Sequence, residues 1–133
     1  MELNILRADP AGNITVFVLD PVEKAQRAAI AEKIMAIPAL KAEQVGYACA
    51  AEDDVDGHME MMGGEFCGNA PRAYGMYIAQ QKGGLSSVRL RVSGCDHAVT
   101  AQVDLKSGTA RAEMPCPRSV KRVTVNGHEG TLV

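Results

Sequence analysis

The stretch richest in chemistry is Gly63-Gly64-Glu65-Phe66-Cys67-Gly68-Asn69-Ala70-Pro71. Two glycines permit a tight backbone path, and an apolar helix-forming run begins within two residues of Cys67. Asn69 reads as the N-cap, and Pro71 suits a first turn, where its missing N–H costs nothing. A helix starting there leaves the N–H groups of Gly68, Asn69 and Ala70 unpaired beside the Cys67 sulfur. Such a terminus binds anions, a carboxylate among them, and its dipole favours a thiolate. Removing the α-proton of an amino acid needs that combination: a base at the carbon, and donors for the charge that develops on the carboxylate. A cysteine near a helix start is also commonly a small buried hydrophobe, and spacing alone does not separate the two readings.

The other groups able to do chemistry read as structural. Cys49, Cys67, Cys95 and Cys116 contain no CxxC pair, which argues against zinc and against a disulfide framework. Cys95-Asp96-His97 suggests a Cys–His pair, but read as strand residues these alternate between faces. Cys49 lies in an apolar run and reads as core, while Cys116 sits between two prolines in a turn. His58 and His128 flank turns and read as solvated. Met59, Met61 and Met62 read as strand packing. Asp53, Asp54 and Asp56 lack the spacing of a calcium loop. No metal is expected.

The elements that must position Cys67 follow from periodicity. Leu3 to Arg7 and Ile14 to Leu19 read as strands around a turn at Asp9-Pro10-Ala11-Gly12-Asn13. Asp20-Pro21 reads as the N-cap and first residue of a surface helix, with Ile30, Ile34 and Ile37 on its apolar face. Glu23 and Arg27 form an i, i+4 pair on its wet side, and Pro38 ends it. Gly46 to Ala51 and His58 to Met62 read as strands joined by an acidic turn. The helix from Ala70 to Lys82 is almost uncharged and is therefore a buried one, terminated by Gly83-Gly84. Three alternating strands follow (Val88 to Val92, Val99 to Val103, Ala110 to Met114). Val120 to Val125 then meets Asn126-Gly127, a hairpin signal. The pattern predicts an α+β domain whose curved mixed sheet wraps around a central buried helix. The chain stops at Thr131-Leu132-Val133, where the return strand of that hairpin would begin, so the sequence reads as cut.

Composition narrows the partners. The 133 residues make one domain with 47% hydrophobic and 23% charged residues, as in ordinary globular proteins. A net charge of -2, scattered Lys and Arg, and only 4% aromatics with no Trp leave nothing for nucleic acid. No run approaches the roughly 20 apolar residues of a membrane span. The N-terminus has no basic start followed by an apolar core, so the expected location is the cytoplasm.

Glu65-Phe66-Cys67-Gly68-Asn69-Ala70 resembles the CGN active-site segment of the diaminopimelate epimerase-like family. Gly12-Asn13 with Phe17 and Asp20 resembles that family's N-terminal element. Glu43-Gln44-Val45-Gly46 falls where the family carries a substrate-contacting Gln, and Val92-Ser93-Gly94-Cys95 resembles the histidine racemase branch. The resemblance implies a fold of two pseudo-symmetric halves with no pyridoxal, metal or other cofactor. Each half supplies one cysteine, so that one sulfur removes the α-proton of a small amino-acid substrate and the other reprotonates the opposite face. On that reading Cys67 is one acid/base. Gly68, Asn69 and Ala70 hold the substrate carboxylate or amine, and Asn13, Gln44 and Glu43 line the pocket. Glu43 could accept a bond from an imidazole, or be a solvated loop residue. Residues 1–133 would be the N-terminal domain. The second base would come from an absent C-terminal domain or another chain, a homodimer included, and the domain alone would be inactive, exposing an apolar face. Two departures separate the chain from diaminopimelate epimerases: a shorter turn at Met61-Met62-Gly63-Gly64-Glu65 with no Asn, and Ala70-Pro71 after CGN. Diaminopimelate epimerase and a non-catalytic amino-acid-binding half-domain remain the alternatives to a histidine racemase.

Overall fold

The computed structural model describes residues 1–133. Seven strands form one mixed sheet whose spatial order is the chain order. They are β1 (Ile5–Ala8), β2 (Thr15–Val18), β3 (Gln44–Cys49), β4 (Gly57–Met61), β5 (Ser87–Val92), β6 (Val99–Asp104) and β7 (Thr109–Ala112). Helix α1 (Lys24–Met35) joins β2 to β3, and α2 (Asn69–Gln81) joins β4 to β5. Both joined pairs are parallel, and every other neighbour pair is antiparallel. β2 and β4 therefore run in opposite directions while both crossovers step the same way along the sheet. Two crossovers of one hand must then lie on opposite faces.

The burial pattern shows that division. Val16, Val18, Val45 and Tyr47 pack with Ile30, Ala31 and Ile34 of α1. Phe17, Met59, Met61, Val88, Leu90, Val99 and Ala101 pack around Ala70, Tyr74 and Ala79 of α2. β2 is covered on both sides, which is why Thr15 to Val18 are all buried. The domain is thus α+β, a curled half-barrel sheet with α2 in its hollow and α1 outside. Gly46 faces Phe17 across the strands, and a Cβ there would stand 2.8 Å from the ring. That absent side chain is the room the aromatic occupies. Burial beside Tyr77 pushes the Tyr74 phenol up to about 12.

Several local expectations need correction. Asp20 does not cap α1, which starts at Lys24 after Glu23. Its carboxylate instead accepts from the Asn4 amide (2.6 Å) and side chain (3.1 Å), tying the two ends of the first hairpin. Arg27 pairs with Glu60 rather than Glu23, and Ile37 is exposed because α1 ends at Met35. The N-cap of α2 is Gly68, not Asn69. The hairpin after Val120 has its return strand: β8 (Lys121–Val125) pairs with β9 (His128–Leu132) through Asn126 and Gly127, both at positive φ. Gly83 and Gly84 end α2 as expected, the Gly84 amide bonding the Ala79 carbonyl at 2.8 Å.

The curl leaves β1 and β7 apart. Between them lies a cavity of about 400 Å³, lined by Leu6, Ala8, Ala73, Met76, Tyr77 and Ala110. The β8–β9 hairpin is exposed at every residue except Val123. No helix is long and apolar enough to cross a membrane.

Candidate active site

Pairing of β2 with β3 sets Thr15 opposite Gln44, on the sheet face that carries Phe17 and looks toward α2. Cys67 lies in the β4–α2 loop, one residue before the N-cap. The helix start and the two strand starts therefore converge. Gln44 Nε2 is 3.2 Å from Cys67 Sγ, 2.8 Å from Thr15 Oγ1 and 2.9 Å from Asn13 Oδ1. Asn13 Oδ1 also accepts from Asn69 Nδ2 at 3.1 Å, and Asn13 Nδ2 donates to the Glu43 carboxylate at 2.9 Å. Of the residues expected from sequence, Asn13, Glu43, Gln44, Cys67 and Asn69 thus form one hydrogen-bonded group. Gly68 and Ala70 adjoin it along the chain.

Cys67 is half-buried. The N–H groups of Gly68, Asn69 and Ala70 have no partner within the chain, so the turn keeps free donors beside the sulfur. Above Gly68 lies the Met114 thioether, which a Cβ at that position would meet at 3.1 Å.

The loop carrying Cys67 is fastened from behind. Ser93 Oγ accepts from the Met61 amide (2.8 Å) and donates to the Glu65 carbonyl (2.7 Å), bridging the end of β4 to the loop. Gly94, at φ +74°, runs so close that a Cβ would stand 2.3 Å from the Phe66 nitrogen. Only glycine fits that approach.

Two members of the site escaped sequence reasoning. Thr15 is the one wholly buried polar residue of the core, and a Thr heading a Val-Phe-Val strand reads as ordinary β-former. Arg72 donates to Asn69 Oδ1 at 2.7 Å, while its Nε is buried with no partner. Its signal was in the sequence: it is the first charge on an otherwise apolar helix, and buried Arg is rarely unpaired.

Elsewhere, two groups have the composition of metal ligands. Cys49, His58 and Glu60 meet within 4.8 Å on the α1 side of the sheet, so His58 is not solvated and Cys49 is not apolar core. Arg27 occupies that group, donating to Glu60 and lying 3.6 Å from Cys49 Sγ. A guanidinium therefore already balances the carboxylate where a cation would sit. Burial pushes the Cys49 thiol up, with Glu60 adding to it. Burial also opposes the Glu60 charge, but the Arg27 hydrogen bond and charge hold that carboxyl below its usual range. Cys95, Asp96 and His97 form the second group, and they lie in a turn rather than a strand. His97 Nδ1 is 2.8 Å from Asp96 and 3.6 Å from Cys95 Sγ, so the three side chains meet. Strand alternation is no argument against the Cys–His pair, because residues two apart share a strand face.

Comparison with known proteins identifies the family. The family model described as histidine racemase CntK N-terminal domain matches residues 2–133. A histidine racemase of Fusobacterium nucleatum subsp. nucleatum is 31% identical over 140 residues, covering 98% of this chain and 50% of the relative. One from Staphylococcus aureus strain Mu50 is 31% identical over 122 residues, covering 89% and 44% respectively. The chain spans about half the length of these curated relatives. Matched along nearly its whole length, the chain belongs to the histidine racemase CntK N-terminal domain family.

Proposed function

We propose that the chain is the first half of a cofactor-independent, diaminopimelate epimerase-like racemase acting on histidine, with Cys67 as one of two acid/base thiols. The observation that carries this is the hydrogen-bonded group of Asn13, Gln44 and Asn69, which reaches through Gln44 a half-buried cysteine whose neighbouring helix amides are free. The relatives' racemase function on histidine supports the choice of substrate.

The steps follow from proton accounting. The substrate carboxylate lies at the N–H groups of Gly68 to Ala70, where it gains charge as the α-proton leaves. Cys67, as thiolate, takes that proton and becomes a thiol. The planar carbon is then reprotonated on its opposite face by a second acid, which ends as a base, so the reverse turnover starts from exchanged roles. One helix start reaches one face only. The second acid therefore belongs to the other half of the protein or to another chain. Glu43, held by Asn13 at the rim, accepts the imidazole N–H and separates histidine from amino acids lacking that donor.

Histidine incubated in deuterium oxide tests the reading. The 133-residue chain alone is expected to give no D-histidine. Joined to the second half of a relative, it should form D-histidine with deuterium at the α-carbon, and Cys67→Ser should abolish both. Exchange surviving Cys67→Ser would remove the sulfur from the mechanism. Histidine binding without exchange by the joined protein would make it a binding module.

A further inference from the structure

A sulfur that takes up a proton and later returns it presents two different surfaces to its neighbours. As a thiol it is a weak donor; as a thiolate it only accepts. A partner suited to both states needs a donor and an acceptor within reach, and a carboxamide carries one of each. Gln44 is placed this way: Nε2 is 3.2 Å from Cys67 Sγ and Oε1 is 3.5 Å from it.

The orientation of that amide is fixed by chemistry around it. Thr15 Oγ1 donates its only proton to the Asn13 main-chain carbonyl at 3.3 Å, so lone pairs alone face Gln44. Asn13 is oriented in turn by Glu43, which as a carboxylate only accepts and so draws Nδ2 toward itself. Asn13 Oδ1 is left pointing at Gln44. Two acceptors thus hold Nε2, and a turned amide would set Oε1 against both of them, leaving acceptors unserved at substantial cost.

The protons also count correctly in both states. With Cys67 as a thiol, the two Nε2 protons serve Thr15 and Asn13 while S–H addresses Oε1. With Cys67 as a thiolate, one Nε2 proton turns to sulfur and the other stays on Thr15. Asn13 Oδ1 is then still served by Asn69 Nδ2. No acceptor is abandoned in either state.

We propose that Gln44 is a positioning residue that acts on the Cys67 sulfur rather than on the substrate, serving thiol and thiolate in turn, with Thr15 and Asn13 holding its amide in register. The inference rests on Cys67 being an acid/base, as proposed above, but it concerns the sulfur without substrate. The charged groups around it are Glu43 behind Asn13, Arg72 behind Asn69, Glu65 on its own loop, and Asp96 and His97 on the adjoining turn. None of these is removed by the variants used.

The test is alkylation of the 133-residue protein by iodoacetamide with no amino acid present, each cysteine quantified by peptide mass spectrometry across pH. Gln44→Leu removes both polar ends; Gln44→Glu, nearly isosteric, keeps acceptors and loses the donor. In Gln44→Leu, Cys67 labelling at pH 7 is expected to fall about tenfold, the worth of one bond to a charged sulfur. In Gln44→Glu it should fall further, because the new carboxylate also repels the thiolate. Its pH–rate profile should move upward, while labelling of exposed Cys116 stays constant. An unchanged Cys67 profile in the Leu variant would overturn the proposal and return Gln44 to a substrate contact. So would a fall shared equally by exposed Cys116, which would show that the loss is not particular to the sulfur beside Gln44. Neither outcome bears on whether the completed enzyme racemises histidine, which the exchange experiment decides separately.

Discussion

Asn13 joins three other side chains of the site, using one end of its amide on Glu43 and the other on Gln44 and Asn69. Truncation to Ala leaves three polar groups short of a partner. A half-exposed cluster of this kind can regain water, so the expected loss is about 1–3 kcal/mol in urea unfolding rather than the sum of three bonds. A loss below about 0.5 kcal/mol would mean the amides were not holding one another. On the other face, Arg27 sets the behaviour of Glu60. A carboxyl held low in the folded state contributes stability that is fully present above the ordinary carboxylate range. That contribution is lost as pH falls through the folded value. Urea midpoints measured downward from pH 7 should therefore decline, and Glu60→Gln should flatten that decline. An identical slope in the variant would show that the pair contributes nothing.

At the level of elements, Gly75 shows steric contact overriding propensity. In an exposed helix interior, Gly→Ala gains about 1 kcal/mol. Here the new methyl would lie 2.7 Å from the Ala101 Cβ on β6, a side chain with no rotamer to move. Gly75→Ala is therefore expected to destabilise by about 1–3 kcal/mol, read from the thermal or urea midpoint. A stabilised variant would mean that α2 can lift off β6. The buried character of α2 was legible in its near-absence of charge, and the strands of the meander in their alternation. The start of α1 was not, because Asp20-Pro21 satisfies the local rule for a cap. Nothing local says that Asp20 bonds Asn4 across the hairpin. Asn69 failed for the same reason: a good capping residue whose side chain is drawn sideways by Asn13 and Arg72. In the site, Cys67, Asn13 and Gln44 could be named from residue type and resemblance. Thr15 enters only through the β2–β3 register, which one sequence does not display.

For the whole molecule, the informative contrast is between the seven-stranded sheet and the β8–β9 hairpin. The hairpin adds no buried residue, and the large exposed apolar side chains near it are Met114, Val120, Val125, Leu132 and Val133. Isolated two-stranded hairpins are marginal in water. Amide hydrogens of β8 and β9 should thus exchange well before those of β2 to β6, in a native-state experiment resolved by residue. Equal protection would show that the hairpin is held by contacts the domain does not reveal. The same exposed residues should drive association at high concentration, and Val125→Lys with Leu132→Lys should weaken it in sedimentation velocity.

Because strand order in the sheet is the order along the chain, each strand pairs with an edge that already exists when it emerges from the ribosome. No strand has to be inserted between two others. β1 to β4, with α1 on their outer face, therefore form a template for pairing, while Phe17, Met59 and Met61 on its inner face are covered only by later elements. α2 is different: much of its apolar bed is Val88, Leu90, Val99 and Ala101, which are made after it. The helix that follows Cys67 must wait during synthesis, with its Gly75 side uncovered, until Leu90 of β5 and Ala101 of β6 arrive. The interval between Gln81 and Asp104 is thus where a growing chain is most open to chaperones and to misassembly.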